Sequence, residues 1–368
     1  MSTLATNAIT DASGGNTTTI NGYTPTMSNM AGRNRLINSD MRIDQRNAGA
    51  SVTPSSSTYT LDRWRVGVDT TQRMSFQQVA DAPSGFTNSI LCTVTTDGSA
   101  SASNLLYLQQ NIEGFNISDL GFGTASAKSV TVSFWVKSSV TGVKSISLIN
   151  GTGLNRAYCT TYNINAANTW EYKTVTFPGD TTGTWATGNG NGLELHFNFQ
   201  VGSTYDTTLN TWAAGRFYSA SSVPDITDTL GATINFTGVQ LEAGSVATPF
   251  EHVDYGEMLR RCQRYCVLLG GTDGETHVGA GLWYATTAAV YQMRLPVEMR
   301  AAPVLTNVSP TVLMYIQGGA LFGDAPTLNT ASKSSVEFYT PVSSGSATAG
   351  FGTSARYTAG KSLLTSEL

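Results

Sequence analysis

The sequence predicts an all-β protein: a jelly-roll β-sandwich, followed by a linker helix and a second, smaller antiparallel β-domain. Three observations predict it. Short runs of strict period-two alternation recur from about residue 34 to residue 252 with no helical period between them, the mark of antiparallel strands buried on one face. One segment, 254–269, switches to helical spacing, and period two then returns to the end of the chain. The composition agrees, since charged residues make up only 12%, about half of the roughly 25% usual in soluble domains. Ser, Thr, Asn and Gly stand in their place; Thr suits a pleated face, while Gly and Asn supply turns with positive φ.

Taken in order, residues 1–33 are polar, rich in Gly, Thr and Asn, and without period. They predict a flexible arm, or an extended segment ordered by a partner. The sandwich is expected over 34–252. Its clearest strands are SVTVSFWVK (129–137), with Val130, Val132, Phe134 and Val136 on one face, and LELHFNFQV (193–201), with Leu193, Leu195, Phe197, Phe199 and Val201 on one face. RWRVGV (63–68), RMSFQQV (73–79), SILCTVTT (89–96), LLYLQQNI (105–112), KSISLI (144–149), RAYCTTYNI (156–164), EYKTVTF (171–177) and TINFTGVQLE (233–242) supply further strands. Gly, Asn, Asp and Pro punctuate them. Gly244 and Pro249 end the last one, which makes the following stretch a seam between modules.

Across 253–271 the expectation is an amphipathic linker helix. Tyr255, Met258, Leu259, Cys262, Tyr265, Cys266 and Leu269 follow i, i+3, i+4, i+7 spacing. Asp254 is a good N-cap with Glu257 three residues on, and Gly270 and Gly271 supply the stop. Met258, Leu259, Cys262 and Cys266 are its expected packing face, against a sheet or against copies of itself at a threefold axis. From 272 to 368 alternation returns, as in VYQMRLPVEM and SVEFYT, and forms the second β-domain.

The balance of charge excludes several functions. A net charge of -4 with scattered basic residues argues against nucleic acid, which requires a clustered basic stripe. Arg260, Arg261 and Arg264 read as the wetter side of the helix. Four cysteines are too few for a disulfide scaffold. Cys262 and Cys266 stand i, i+4, but with only His252 nearby and no second Cys pair, no metal site is expected. No cofactor is expected either: GKS at 360–362 lacks the upstream glycine of a phosphate loop, because residue 355 is Ala. GNGNG at 188–192 lies between strands as a turn. No apolar run approaches the roughly 20 residues that span a bilayer, so membrane insertion is not expected, and the first residues lack the pattern of a secretory signal. Asn-x-Ser/Thr sequons at Asn16, Asn116, Asn150, Asn235 and Asn307 occur at the frequency such a composition gives by chance.

Three segments carry a resemblance. NRLINSDMRIDQRNAG (34–49) followed by YTLDRW (59–64), the strands SVTVSFWVKSS (129–139) and NTWEYKTVTFPGD (168–180), and TGVQLEAGSVATPFEHVDYGEMLRRCQRYC (237–266) resemble bacteriophage tail fibre and related virion adhesion proteins with a carbohydrate-binding-module-like jelly roll. The match weakens through LPVEMRAAP (295–303) to YTAGKSLLTSEL (357–368). The resemblance implies a structural virion protein without enzymatic activity, most simply a tail fibre, usually a homotrimer, whose β-domains meet the host surface. It implies attachment to other virion proteins through the N-terminal arm, a location on the phage tail or capsid surface, and assembly in the bacterial host cytoplasm. The alternative is a capsid decoration or spike protein with no receptor role; a polysaccharide depolymerase comes third.

The expected contact with the host is a glycan. The outward row Glu194, His196, Asn198 and Gln200 offers planar polar groups to sugar hydroxyls, and Trp135, with Trp170, Trp185 and Tyr172, offers stacking surface. The bland reading of that row is a solvated or subunit-contacting sheet face. No catalytic residue is expected. Depolymerase chemistry needs two facing carboxylates, and the nearest pairs in sequence, Asp225 with Asp228 and Glu251 with Asp254, read more simply as turn and cap residues.

Overall fold

A computed structural model describes residues 32–68, 72–270, 276–316, 319–342 and 344–368, so the arm expected over 1–33 lies outside the described residues except for its last two. Among the described residues, twelve strands come before the helix: β1 (Thr58–Leu61), β2 (Trp64–Val68), β3 (Met74–Val79), β4 (Ser89–Val94), β5 (Leu105–Glu113), β6 (Val130–Ser138), β7 (Gly142–Asn150), β8 (Arg156–Ile164), β9 (Glu171–Phe177), β10 (Asn191–Val201), β11 (Trp212–Ala214) and β12 (Thr233–Ala243). They form two antiparallel sheets. One has seven strands in the order β1-β2-β5-β10-β7-β8-β11, the other five in the order β3-β4-β12-β6-β9. Apart from the hairpins β1-β2, β3-β4 and β7-β8, neighbours in each sheet are not consecutive in the chain, the crossed-over arrangement of a jelly-roll sandwich.

Alternation places the core. Val130, Val132, Phe134 and Val136 of β6 face Leu193, Leu195, Phe197 and Phe199 of β10, all at most 2% exposed. Phe197 stacks on Phe236 of β12 at 4.3 Å between ring centres and meets Phe134 edge-on at 5.0 Å. Burying each such ring contributes about 1.5–3 kcal/mol, and the offset and edge-on geometries suit the ring quadrupoles.

The helix is shorter than its spacing predicts. It runs Tyr255–Gln263 and closes at Arg264; Cys266–Gly270 is strand β13 instead. Cys266, Val267, Leu268 and Leu269 pair with Thr365, Leu364, Leu363 and Ser362. An apolar run of this length satisfies helical and strand spacing alike, and the neighbouring strand decides between them. Asp254 does cap the helix, accepting the N–H groups of Gly256 at 2.9 Å and Glu257 at 3.3 Å. Glu257 turns away from the cap to Arg260 and Arg261. Met258 and Cys262 are buried against Ile43 of the same chain, with Leu259 alongside, while Cys266 has left the helix for β13. The packing face therefore meets the chain's own opening segment.

Beyond β13 come β14 (Thr276–Ala285), β15 (Ala288–Arg294), β16 (Val304–Ile316), β17 (Gly319–Gly323), β18 (Thr327–Ala331), β19 (Ser335–Pro341) and β20 (Gly352–Thr365). They make one antiparallel sheet, β17-β16-β20-β14-β15-β19-β18, with β13 also on β20. The sheet curls about its own core of Trp283, Tyr291, Val312, Met314, Phe338 and Tyr357.

The opening motif joins these parts. Asn34 donates to the carbonyl of Val239 at 3.0 Å and accepts the N–H of Leu241 at 3.1 Å. Asn38 donates to the Ile43 and Asp62 carbonyls, and its own carbonyl takes the Trp64 indole N–H at 2.9 Å. Gln45 reaches the Cys266 carbonyl at 3.0 Å. Arg46 and Arg63 both pair with Glu367. Asn34, Asn38 and Arg63 are buried and Gln45 and Arg46 half-buried; the bonds of Gln45, Arg46 and Arg63 to Cys266 and Glu367 fix the second β-domain on the sandwich.

Candidate functional site

The predicted glycan row is on one face, as its alternation requires, but that face is covered. Glu194 is 6% exposed, His196 0%, Asn198 7% and Gln200 1%. The segment 202–226 lies over the outer surface of the seven-stranded sheet and brings its own small core there, with Tyr218 buried beside Leu105, Tyr107 and Ile149. His196 sits edge-on to Tyr107 at 4.7 Å and Tyr218 at 5.0 Å, and its Nε2 bonds to Glu194 Oε2 at 2.9 Å. Asn198 donates to the Tyr218 carbonyl at 2.7 Å, and Gln200 to that of Gly98 at 2.9 Å. Burial pulls the His196 pKa down; Glu194 opposes this, and Arg216 and Arg65 add to it. These four residues are buried structural groups, out of reach of a solvent ligand.

Trp135 belongs to the opposite outer surface. β6 turns Thr131, Ser133, Trp135 and Lys137 away from the core, and Trp135 pairs across the sheet with Tyr172 of β9 and Thr237 of β12. The structure therefore separates Trp135 from the β10 row by the full thickness of the sandwich. Around Trp135 it assembles something else. Tyr172, 44% exposed, lies 5.5 Å from the half-buried Trp135, ring centre to ring centre. Trp170 follows in the next row, with the Lys137 ammonium 5.4 Å from its ring centre. Its indole N–H donates to Asp81 at 3.2 Å, and Lys137 pairs with the same carboxylate. The Lys137 hydrogen bond, and then that of Trp170, hold the Asp81 carboxyl below its ordinary range. Thr174 and Thr176 stay exposed on β9 below Tyr172.

Phe86 completes the platform from the loop joining β3 to β4. It packs against Phe250 at 5.1 Å and His252 at 5.5 Å. Gly238 lets it approach Trp135. At φ +59° this residue sits in the left-handed region, and a Cβ there would stand 2.6 Å from Phe86 and 3.2 Å from Trp135. The chain bulges at this point, with the register of β12 on β6 slipping between Thr237 and Gln240. Lys137 follows the outward alternation of SVTVSFWVK, but Phe86 and Asp81 were not singled out from sequence. Their signal is faint: a turn-rich DAPSGF stretch between two strands, with no period to aim its side chains.

Trp185 does not contribute. It is 7% exposed, set edge-on to Phe122 at 4.8 Å and Trp212 at 5.7 Å.

The carboxylates are bound up in the fold. Glu242 takes the Thr248 N–H at 2.8 Å and hydroxyl at 2.6 Å. Glu251 takes the N–H groups of Gly32 at 2.6 Å and Asn34 at 2.8 Å, and Asp254 caps the helix. Asp225 accepts the Val201 N–H at 3.1 Å and borders a hollow with Asp206 and Asp228. Burial first, and then these two neighbours, raise its carboxyl to about 7, against the Val201 bond.

No family model matches the sequence, and no curated protein matches it either. Among solved structures, the enzymatically active domain of bacteriophage CBA120 tailspike protein 4 aligns at 16% identity over 49% of this chain and 19% of that one, with a TM-score of 0.30. The family 11 carbohydrate-binding module of the Clostridium thermocellum cellulase Lic26A-Cel5E aligns at 14% identity over 53% and 98%, TM-score 0.27. The N-terminal cellulose-binding domain of Cellulomonas fimi β-1,4-glucanase C aligns at 12% identity over 50% and 90%, TM-score 0.26. Likenesses this distant carry no functional assignment, and the sandwich rests on the sheets described above.

Proposed function

We propose that this chain is a bacteriophage tail fibre protein, non-enzymatic, that contacts the host surface by laying a neutral glycan on the Trp135–Tyr172 platform. The observation that carries the reading is the pairing of these two rings on an outer sheet face, with exposed Thr174 and Thr176 in the rows beside them. The C–H face of a pyranose stacks on aromatic rings while its hydroxyls bond to polar groups at the edge, which suits amphipathic Trp and Tyr. The charges around the rings are internally paired, Lys137 with Asp81 and Lys173 with Glu171, so the platform offers no net field to an ionic ligand. The virion role rests on the resemblance of the 34–64 and 237–266 segments. A homotrimer and attachment through 1–33 belong to the same reading.

Adsorption of the purified chain to host cells, and to arrays of their surface glycans, tests it. Trp135→Ala and Tyr172→Ala are expected to lose binding while keeping the wild-type circular dichroism. Wild-type adsorption by both folded variants sinks the platform. Digestion of host polysaccharide by the pure protein sinks the non-enzymatic reading, immunogold label on the capsid sinks the tail location, and a single-chain mass in light scattering sinks the trimer.

A further inference from the structure

A second surface of the molecule has the chemistry of a ligand site. Where the opening segment, the end of β5 and the helix meet lies a hollow of about 330 Å³, into which Arg35, Arg261 and Arg264 face together with Glu113, Asn116 and Tyr265. That volume falls at the lower end of small-molecule sites and suits a single sugar ring or a comparably compact molecule.

The charges inside it do not balance. Of the carboxylates that pair with these arginines, only Glu113 lines the hollow; Asp119 and Glu257 approach Arg35 and Arg261 from outside it. Glu113, 3% exposed, is fully engaged by Arg264 through two bonds, Nε at 3.1 Å and Nη2 at 2.8 Å. Arg35 spends Nη2 on Asp119 at 2.8 Å and Nη1 on the Asn116 carbonyl at 3.3 Å, and its buried Nε has no partner among the described residues. Arg261 bonds Glu257 through Nε at 3.1 Å, and its two terminal nitrogens have no acceptor among the described residues. Three guanidiniums thus face one buried carboxylate that is already saturated. Planar N–H forks in this position match an oxyanion, above all a carboxylate held by two parallel bonds.

We infer that this hollow binds a monosaccharide-sized carboxylate, of the kind a uronic acid unit presents, with the terminal nitrogens of Arg261 as its ligand and Arg35 as the positive charge beside it. It is a different site from the sheet platform and does not depend on it. Calorimetric titration of the full chain with galacturonate, glucose and inorganic phosphate tests the inference. Galacturonate is expected to bind and glucose to give no heat. Rising salt is expected to weaken the binding. Arg261→Gln is expected to weaken it at least about tenfold, since a hydrogen bond to a charged group contributes about 1.5–3 kcal/mol. Arg261 is 34% exposed in its side chain, so this variant keeps the fold; Arg35→Gln provides the independent second variant. Trp135→Ala is expected to leave galacturonate binding unchanged, which separates this site from the platform. Phosphate heat without galacturonate heat, equal binding of glucose, or undiminished binding by both arginine variants overturns the inference.

Discussion

The Arg63 guanidinium lies 3.6 Å from the centre of the Tyr265 ring, closing a buried cluster in which one carboxylate serves two cations. Arg63 is 1% exposed, donates to the Asn111 carbonyl at 2.6 Å and pairs with Glu367; Arg46 pairs with the other Glu367 oxygen at 2.6 Å. The Arg63 backbone stands at φ 69°, a region that costs a residue with a side chain on the order of 1 kcal/mol. Its contacts hold it there. Both arginines belong to the sandwich, whereas Glu367 follows the last strand of the second β-domain, so the cluster locks one module to the other.

Glu367→Gln is therefore expected to destabilise the protein by about 3 kcal/mol, because removing one partner of a buried pair leaves its cation uncompensated. Urea unfolding measures this. Limited proteolysis between β12 and the helix, over 244–254, should also accelerate in the variant as the modules part. A loss under about 1 kcal/mol with unchanged proteolysis would show that the pair does not hold the seam.

Gly238 provides a test of the platform that leaves its aromatic rings intact. Its φ is +59°, and an added Cβ meets Phe86 at 2.6 Å. Gly238→Ala is expected to cost more than about 1 kcal/mol and to reduce glycan adsorption by moving Phe86 away from Trp135. His196→Ala is the complementary control. It is expected to lower stability but to leave adsorption by the folded fraction unchanged. If His196→Ala abolishes adsorption at full stability, the glycan contacts the seven-stranded face instead.

These contrasts mark how much of the molecule was legible from sequence. The faces of β6 and β10 could be read because a pleated strand alternates strictly, so Phe134 and Phe197 went to the core and Trp135 outward. What lies over an outer face could not be read. The 202–226 segment that buries His196 has no period, and its grip depends on Tyr218 reaching Tyr107, more than a hundred residues away. The same limit applies to the opening motif. Asn34, Gln45 and Arg63 find their partners in Val239, Cys266 and Glu367, and no local spacing encodes such distances. β13 was missed for a different reason: a five-residue apolar run fits two periods, and only pairing with β20 selects one.

His196 gives the fold an acid limb. Its imidazole is fully buried, its Nε2–H directed at Glu194 and its Nδ1 without a protein partner among the described residues, and burial holds its pKa below the ordinary value. An unfolded histidine titrates near about 6.5. A base whose folded pKa is depressed contributes its full share above that value, and the contribution is lost as pH falls and the unfolded chain takes up the proton first. The His196 share of the unfolding free energy is thus expected to be lost between about pH 7.5 and about pH 5, so wild type should lose stability relative to His196→Gln over that window. Parallel pH profiles for the two proteins would remove His196 as the cause.

Asp225 acts in the opposite direction. Its folded carboxyl titrates at about 7, against about 3.9 when unfolded. A carboxyl with a raised folded pKa contributes stability below the unfolded value, and that contribution is lost as pH rises towards the folded one. Near neutrality the fold thus holds a carboxylate that burial, Asp228 and Asp206 disfavour, with the Val201 N–H and Arg73 opposing them. Asp225→Asn keeps an oxygen for the Val201 bond and removes the charge. It is expected to raise stability at about pH 8, to change it little at about pH 4, and to leave the histidine limb intact. Partial exposure of the side chain tempers the size of the gain without altering its sign. A variant less stable than wild type at alkaline pH would mean that the charge has a favourable partner in the hollow, and a titration with divalent cations would then reveal it.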